Sequence, residues 1–90
     1  MSTFRIFVNG DELKHVRKVL TEERIRLISV IKERNPESIY ELARILGRNR
    51  SSVMRDLRHL KKLGLVEFQN LGKRKKPVVN YEKISIVIPI

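Results

Sequence analysis

The sequence predicts a single α+β domain: a short strand, a series of helices, a β-hairpin and a last strand. Three observations carry that prediction. Apolar residues recur at helical spacing between residues 21 and 64, and capping residues, proline and glycine cut the run into separate helices. After Gly64 the period shortens to two, and Gly72 interrupts it as a hairpin requires. Both ends of the chain alternate in the same way, at Phe4-Ile6-Val8 and at Ile84-Ile86-Ile88-Ile90. Ninety residues are enough for one domain, and 41% apolar residues with four Gly and three Pro favour a folded globule over a disordered basic tail. A chain of this length buries only roughly 60–65% of its unfolded surface, so self-association is a common support.

Taken in order, residues 1–20 should form an N-terminal strand over Thr3–Val8, ended by Asn9-Gly10, and a short helix capped by Asp11 with Leu13, Val16 and Leu20 on one face. Residues 21–64 should be a helical core. Thr21-Glu22-Glu23 opens its first helix with a cap and two acids at the positive end of the macrodipole. Ile25, Leu27, Ile28, Val30 and Ile31 cover most of that helix, so a central place in the core is expected, and Asn35-Pro36 ends it. Ser38 and Glu41 have the spacing of a capping box, and Ile39, Leu42, Ala43 and Leu46 supply an apolar stripe that Gly47 terminates. Asn49 should cap the next helix, with Val53, Leu57, Leu60 and Leu63 toward the core and Gly64 beyond its end. Residues 65–81 read as a hairpin of strands Leu65–Gln69 and Pro77–Tyr81, with Gly72–Lys76 as a basic tip, and residues 82–90 as a C-terminal strand.

Charge is concentrated within this framework. Ten of the twenty Lys and Arg lie in residues 48–76 against Asp56 and Glu67 alone, a local charge of +8 out of a total of +10. A field focused in this way suits a polyanion, of which DNA is the commonest. Two short helices joined by a glycine turn, the second basic on its outward side, predict a helix-turn-helix over residues 38–64, with the hairpin as its wing. The expected contacts on the second helix are Arg48, Asn49, Arg50, Ser51, Ser52, Met54, Arg55, Arg58 and Lys62, and on the wing Lys73, Arg74, Lys75 and Lys76. Arginine suits guanine because its planar fork meets O6 and N7 together, and in a narrow minor groove it gains from the enhanced negative potential.

The stretch SIYELARILGRNRSSVMRDLRHLKKLGLVEF resembles the winged helix-turn-helix of MarR- and ArsR-type transcriptional regulators. The likeness rests on Glu41-Leu42-Ala43, Leu46-Gly47 and Leu60 to Val66. A small, largely archaeal family of MarR-like DNA-binding proteins is more similar still, through Leu46-Gly47-Arg48, Val53, Arg55-Asp56-Leu57 and an apolar last strand. The resemblance covers roughly residues 21–90 and implies Arg50, Ser51, Met54, Arg55 and Arg58 as groove-facing positions. The chain has no room for the long flanking helices of MarR dimers, and without Cys, with only His15 and His59, it lacks the ligand clusters of metal-sensing ArsR proteins.

Several residues admit two roles. Arg48, in the turn, can reach a phosphate or pair with Glu41 or Asp56; Asp56 is expected to orient an arginine. Met54 can touch a thymine methyl or fill a gap in packing, and Tyr40 can rest on a DNA backbone or pack half-buried. Ser51 and Ser52 have no base or acid patterned beside them and are read as first-turn or phosphate-binding residues, not nucleophiles. No paired acids, phosphate loop or metal cluster suggests an enzyme, and no cofactor or metal is expected. No apolar run approaches a membrane span and the first ten residues lack a secretory pattern, so a cytoplasmic protein is expected. The function expected is that of a sequence-specific double-stranded DNA-binding regulator, a homodimer joined through its terminal strands or N-terminal helix. The alternative is an architectural or RNA-binding winged helix, or an interaction module of a larger complex.

Overall fold

A computed structural model describes residues 2–90. The elements run β1 (Thr3–Phe7), α1 (Gly10–Val19), α2 (Glu22–Arg34), α3 (Ile39–Leu46), α4 (Arg50–Lys62), β2 (Glu67–Leu71), β3 (Arg74–Val78) and β4 (Lys83–Val87). Among the described residues they make an α+β domain of four helices and two small sheets. No helix among the described residues is long and apolar enough to cross a membrane.

The helix ends follow from local chemistry. At α1 the cap is Asn9, not the Asp11 expected from the sequence. Asn9 Oδ1 accepts from the Glu12 amide at 2.8 Å while Glu12 Oε1 accepts from the Asn9 amide at 2.9 Å, so two orphan amides are satisfied reciprocally. Asp11 falls instead in the first turn, where a negative charge is favoured. Thr21 caps α2 as expected, and Asn35 ends it in the left-handed conformation (φ 46°). Ser38 Oγ accepts from the Glu41 amide at 3.0 Å, but the Glu41 carboxylate reaches back to the Glu37 amide, one residue before the cap, so only half of the expected box forms. Gly47, at φ 64°, ends α3.

Leu27, Leu42, Val53, Leu57, Leu60, Leu65 and Val66 form the fully buried centre, drawn from α2, α3, α4 and the start of the hairpin. α2 is less central than its composition suggests: Leu27, Ile28 and Ile31 are buried, but Ile25 remains 47% exposed. Its apolar residues spread over more of the helix surface than one core can cover. Tyr81 closes the centre from the far side, its hydroxyl donating to the Leu65 carbonyl and its ring 5.3 Å from that of Phe4.

The hairpin differs from the expected one. β2 and β3 pair antiparallel with Leu71 opposite Arg74, leaving Gly72 and Lys73 as a two-residue turn. Positive φ falls on Gly72 alone, the pattern of a II′ turn, and the ladder can then begin directly after Lys73. Lys73 alone of the four bases therefore sits in the tip; Arg74, Lys75 and Lys76 belong to β3 and face Leu71, Asn70 and Gln69. The expected boundary treated polar residues as turn, yet a two-stranded ribbon accepts Lys and Arg on its wet sides. The terminal strands pair within the chain: β1 and β4 run parallel, with Phe4 beside Ile84 and Ile6 beside Ile86. Ile88 and Ile90 lie beyond β4 and are exposed.

Candidate nucleic-acid interface

α3 and α4 are joined by Gly47, Arg48 and Asn49. Asn49 Oδ1 accepts from the Ser51 amide at 2.8 Å, so this side chain is spent on capping α4. Buried Val53, Leu57 and Leu60 fix the helix by its inner side. That anchoring leaves Arg50, Ser51, Arg55, Arg58 and Lys62 exposed, with Ser52 and Met54 at the margin.

Two cationic surfaces result. In the first, Arg50, Met54 and Arg58, four residues apart along one stripe of α4, line a groove of about 610 Å³ whose other wall is Lys73, Arg74 and Lys75 of the hairpin. Ser38, Ile39 and Tyr40 from the start of α3 close its end. The fold thus brings together two basic segments that are separate in sequence, and among the described residues no carboxylate lines the space between them. The second surface continues around α4 through Arg55, Arg58, His59, Lys61 and Lys62 and also lacks an acid. Arg58 belongs to both. Lys61 additionally lies 5.6 Å from the centre of the Phe68 ring, which ties the end of α4 to β2.

Besides Asn49, three more predicted positions are engaged within the fold: Arg48, the Ser52 hydroxyl that accepts from it, and Lys76. Arg48 points back into the domain: Nη2 donates to Asp56 Oδ2 at 2.8 Å and to Ser52 Oγ at 2.7 Å, and Nε lies 3.5 Å from a Glu23 carboxylate oxygen. Of its two expected partners it takes Asp56, not Glu41. Lys76 Nζ donates to the Pro36 carbonyl at 3.4 Å, bracing the hairpin against the α2–α3 connection, so Lys76 does not line the groove with its three neighbours.

Asp56 is the organiser of the inner side. Its second oxygen accepts from Arg24 Nε at 3.0 Å, and Arg24 Nη1 in turn donates to the Val19 carbonyl at the end of α1. Burial by itself would raise the Asp56 carboxyl, but the hydrogen bonds and charges of Arg48 and Arg24 outweigh it and hold the group below its ordinary value. One buried acid therefore links α1, α2, the α3–α4 turn and α4.

Ser38 was not among the expected contacts, and Tyr40, for which half-buried packing was one of two readings, does not pack that way. Tyr40 is 65% exposed and lines the groove with Arg50 and Met54. Its position two residues after the cap of the helix preceding a basic one is what allowed the backbone-contact reading; Ser38 gave no such signal, being read only as a cap.

A family model described as HVO_A0114 matches residues 19–86, from the end of α1 to within β4. No curated protein matches the chain.

Proposed function

The chain belongs to the HVO_A0114 family, and we propose that it is a double-stranded DNA-binding transcriptional regulator of winged helix-turn-helix type, similar to MarR-like proteins and active as a homodimer. In this reading α3 and α4 are the helix-turn-helix, α4 enters the major groove, and β2–β3 is the wing. The single observation that supports it most is the acid-free groove in which Arg50 and Arg58 face Lys73, Arg74 and Lys75. Cations on opposite walls of one cleft repel each other when it is empty, and a phosphate backbone relieves that repulsion. The exposed outer stripe of α4, with Ser51 and Arg55, remains free to meet base edges. Tyr40, exposed and lining the groove, supplies a further hydrogen-bond donor.

The test is a titration with duplex DNA, duplex RNA and single-stranded DNA over a range of salt, alongside selection of preferred duplexes from a random pool. A recovered motif above a steeply salt-dependent duplex background is the expected result. Equal affinity for DNA and RNA without any motif would replace the regulator with an architectural or RNA-binding protein. Failure to bind all three would leave the basic groove as a protein-docking surface.

A further inference from the structure

A second groove, of about 620 Å³, lies between α2 and β4 and shares no lining residue with the basic one. Its character is the opposite. Ile28 and Ile84 line it beside two isoleucines that the domain leaves in water, Ile25 at 47% and Ile86 at 42% exposure. Ile88, just past the strand, is exposed as well. Large apolar side chains grouped in this way on a small domain mark a contact surface. The strand pair itself is also unfinished. Parallel strands are normally covered on both faces, whereas β1 and β4 form a sheet of only two strands with Ile86 uncovered.

The rim identifies the occupant. Lys32 and Glu33 stand on the α2 side, Glu82 and Lys83 on the β4 side. Each wall carries one base and one acid, so the rim is neutral in a chain of net charge +10. A nucleic acid or an anionic membrane would select a net positive rim, and a basic protein a net negative one. A rim with both signs on each wall is self-complementary, which is what a twofold contact requires. It is also where two strongly cationic molecules can meet with least repulsion.

We propose that a second copy of this chain docks across this groove, α2 and β4 of one protomer covering those of its partner about a twofold axis. This gives the homodimer of the proposed function its surface, and so rests on that reading for its biological purpose, but its test needs no DNA. Sedimentation equilibrium of the purified chain at micromolar concentration should give twice the monomer mass of 10.6 kDa. Ile25→Glu and Ile86→Glu each alter an already exposed position, so circular dichroism melts should stay close to wild type while the dimer dissociation constant rises roughly tenfold or more. Phe7→Ser is the control. Phe7 is exposed on the opposite face of the same strand pair and should leave the dimer intact. A monomeric wild type would overturn the proposal. So would a dimer indifferent to both glutamates, or one lost only with Phe7→Ser. A dimer that forms as expected but binds no nucleic acid would overturn the proposed function and leave this surface standing.

Discussion

Asp56 is the only acid in α4, and its position separates arginines that hold the fold from arginines left free to bind. Its carboxylate takes Arg24 on one oxygen and Arg48 on the other. Asp56→Asn keeps the shape but takes the counter-charge from Arg24 and leaves Arg48 only the exposed Glu23 carboxylate. All three side chains retain some solvent, so the cost should fall below the roughly 3–5 kcal/mol of a fully buried broken pair, at about 2 kcal/mol in urea denaturation at neutral pH. The pH dependence has a definite sign. A carboxyl held below its unfolded value of 3.8 binds fewer protons when folded, so its contribution is complete above that pH and disappears as pH falls through the folded value. Unfolding series carried below pH 3.8 should therefore show a shallower acid loss in Asp56→Asn than in wild type; equal slopes would mean that Asp56 is not the group responsible. Arg48→Ala should lower stability by about 1–2 kcal/mol and leave the salt slope of DNA binding as in wild type. A slope reduced by about one would instead put Arg48 on a phosphate, the other of the two roles its place in the turn left open.

At the scale of elements, the groove between α4 and the hairpin divides the proposed contacts into two kinds. Lys73, Arg74 and Lys75 line it from the strand side and Arg50 and Arg58 from the helix side. Replacing any of the three hairpin bases by Ala should weaken binding to every duplex and flatten the salt dependence by about one. Lys76→Ala should flatten it less, because its ammonium is held by the Pro36 carbonyl. Arg55→Ala should cost about 1–3 kcal/mol on a preferred site and relax its sequence preference; a uniform loss on all sequences would remove Arg55 from base reading. Much of this arrangement was legible in the sequence, because helix ends are local chemistry. Thr21, Ser38, Gly47 and Asn49 act within two to four residues of themselves, and the α2–α4 boundaries fell where their patterns put them. What was not legible depends on partners distant in the chain. The turn at Gly72-Lys73 is set by ladder register, so basic residues read as a tip became strand. Arg24 meets Asp56 across 32 positions, and Lys76 meets Pro36 across 40, separations that no local pattern encodes. Asn9 was missed for a different reason: the neighbouring Gly10 read as a turn, although glycine is tolerated at the first position of a helix whose cap is already paired with Glu12.

For the whole molecule, the distribution of charge and apolar surface sets how two copies and a duplex would fit together. The domain is elongated, 45 Å by 27 Å by 20 Å, and its acid-free groove and its neutral apolar groove use different residues. A twofold dimer through α2 and β4 would therefore leave both basic grooves open. Two such grooves related by a twofold axis read the same sequence in opposite directions, so selection from a random pool should recover a near-palindrome with half-site centres about one DNA turn, roughly 34 Å, apart. A domain 45 Å long is of the size to meet that spacing. Ile86→Glu gives the companion result, since it removes the apolar contact without touching the basic groove. It should bind a single half-site as wild type does, lose the advantage of the paired site, and bind paired sites with little regard to their spacing. If Ile86→Glu keeps both the paired-site advantage and the spacing preference, the two copies are joined by the DNA or by another surface. If wild type itself recovers only an unpaired motif, the proposed regulator works as a monomer, and the apolar groove has a purpose separate from DNA binding.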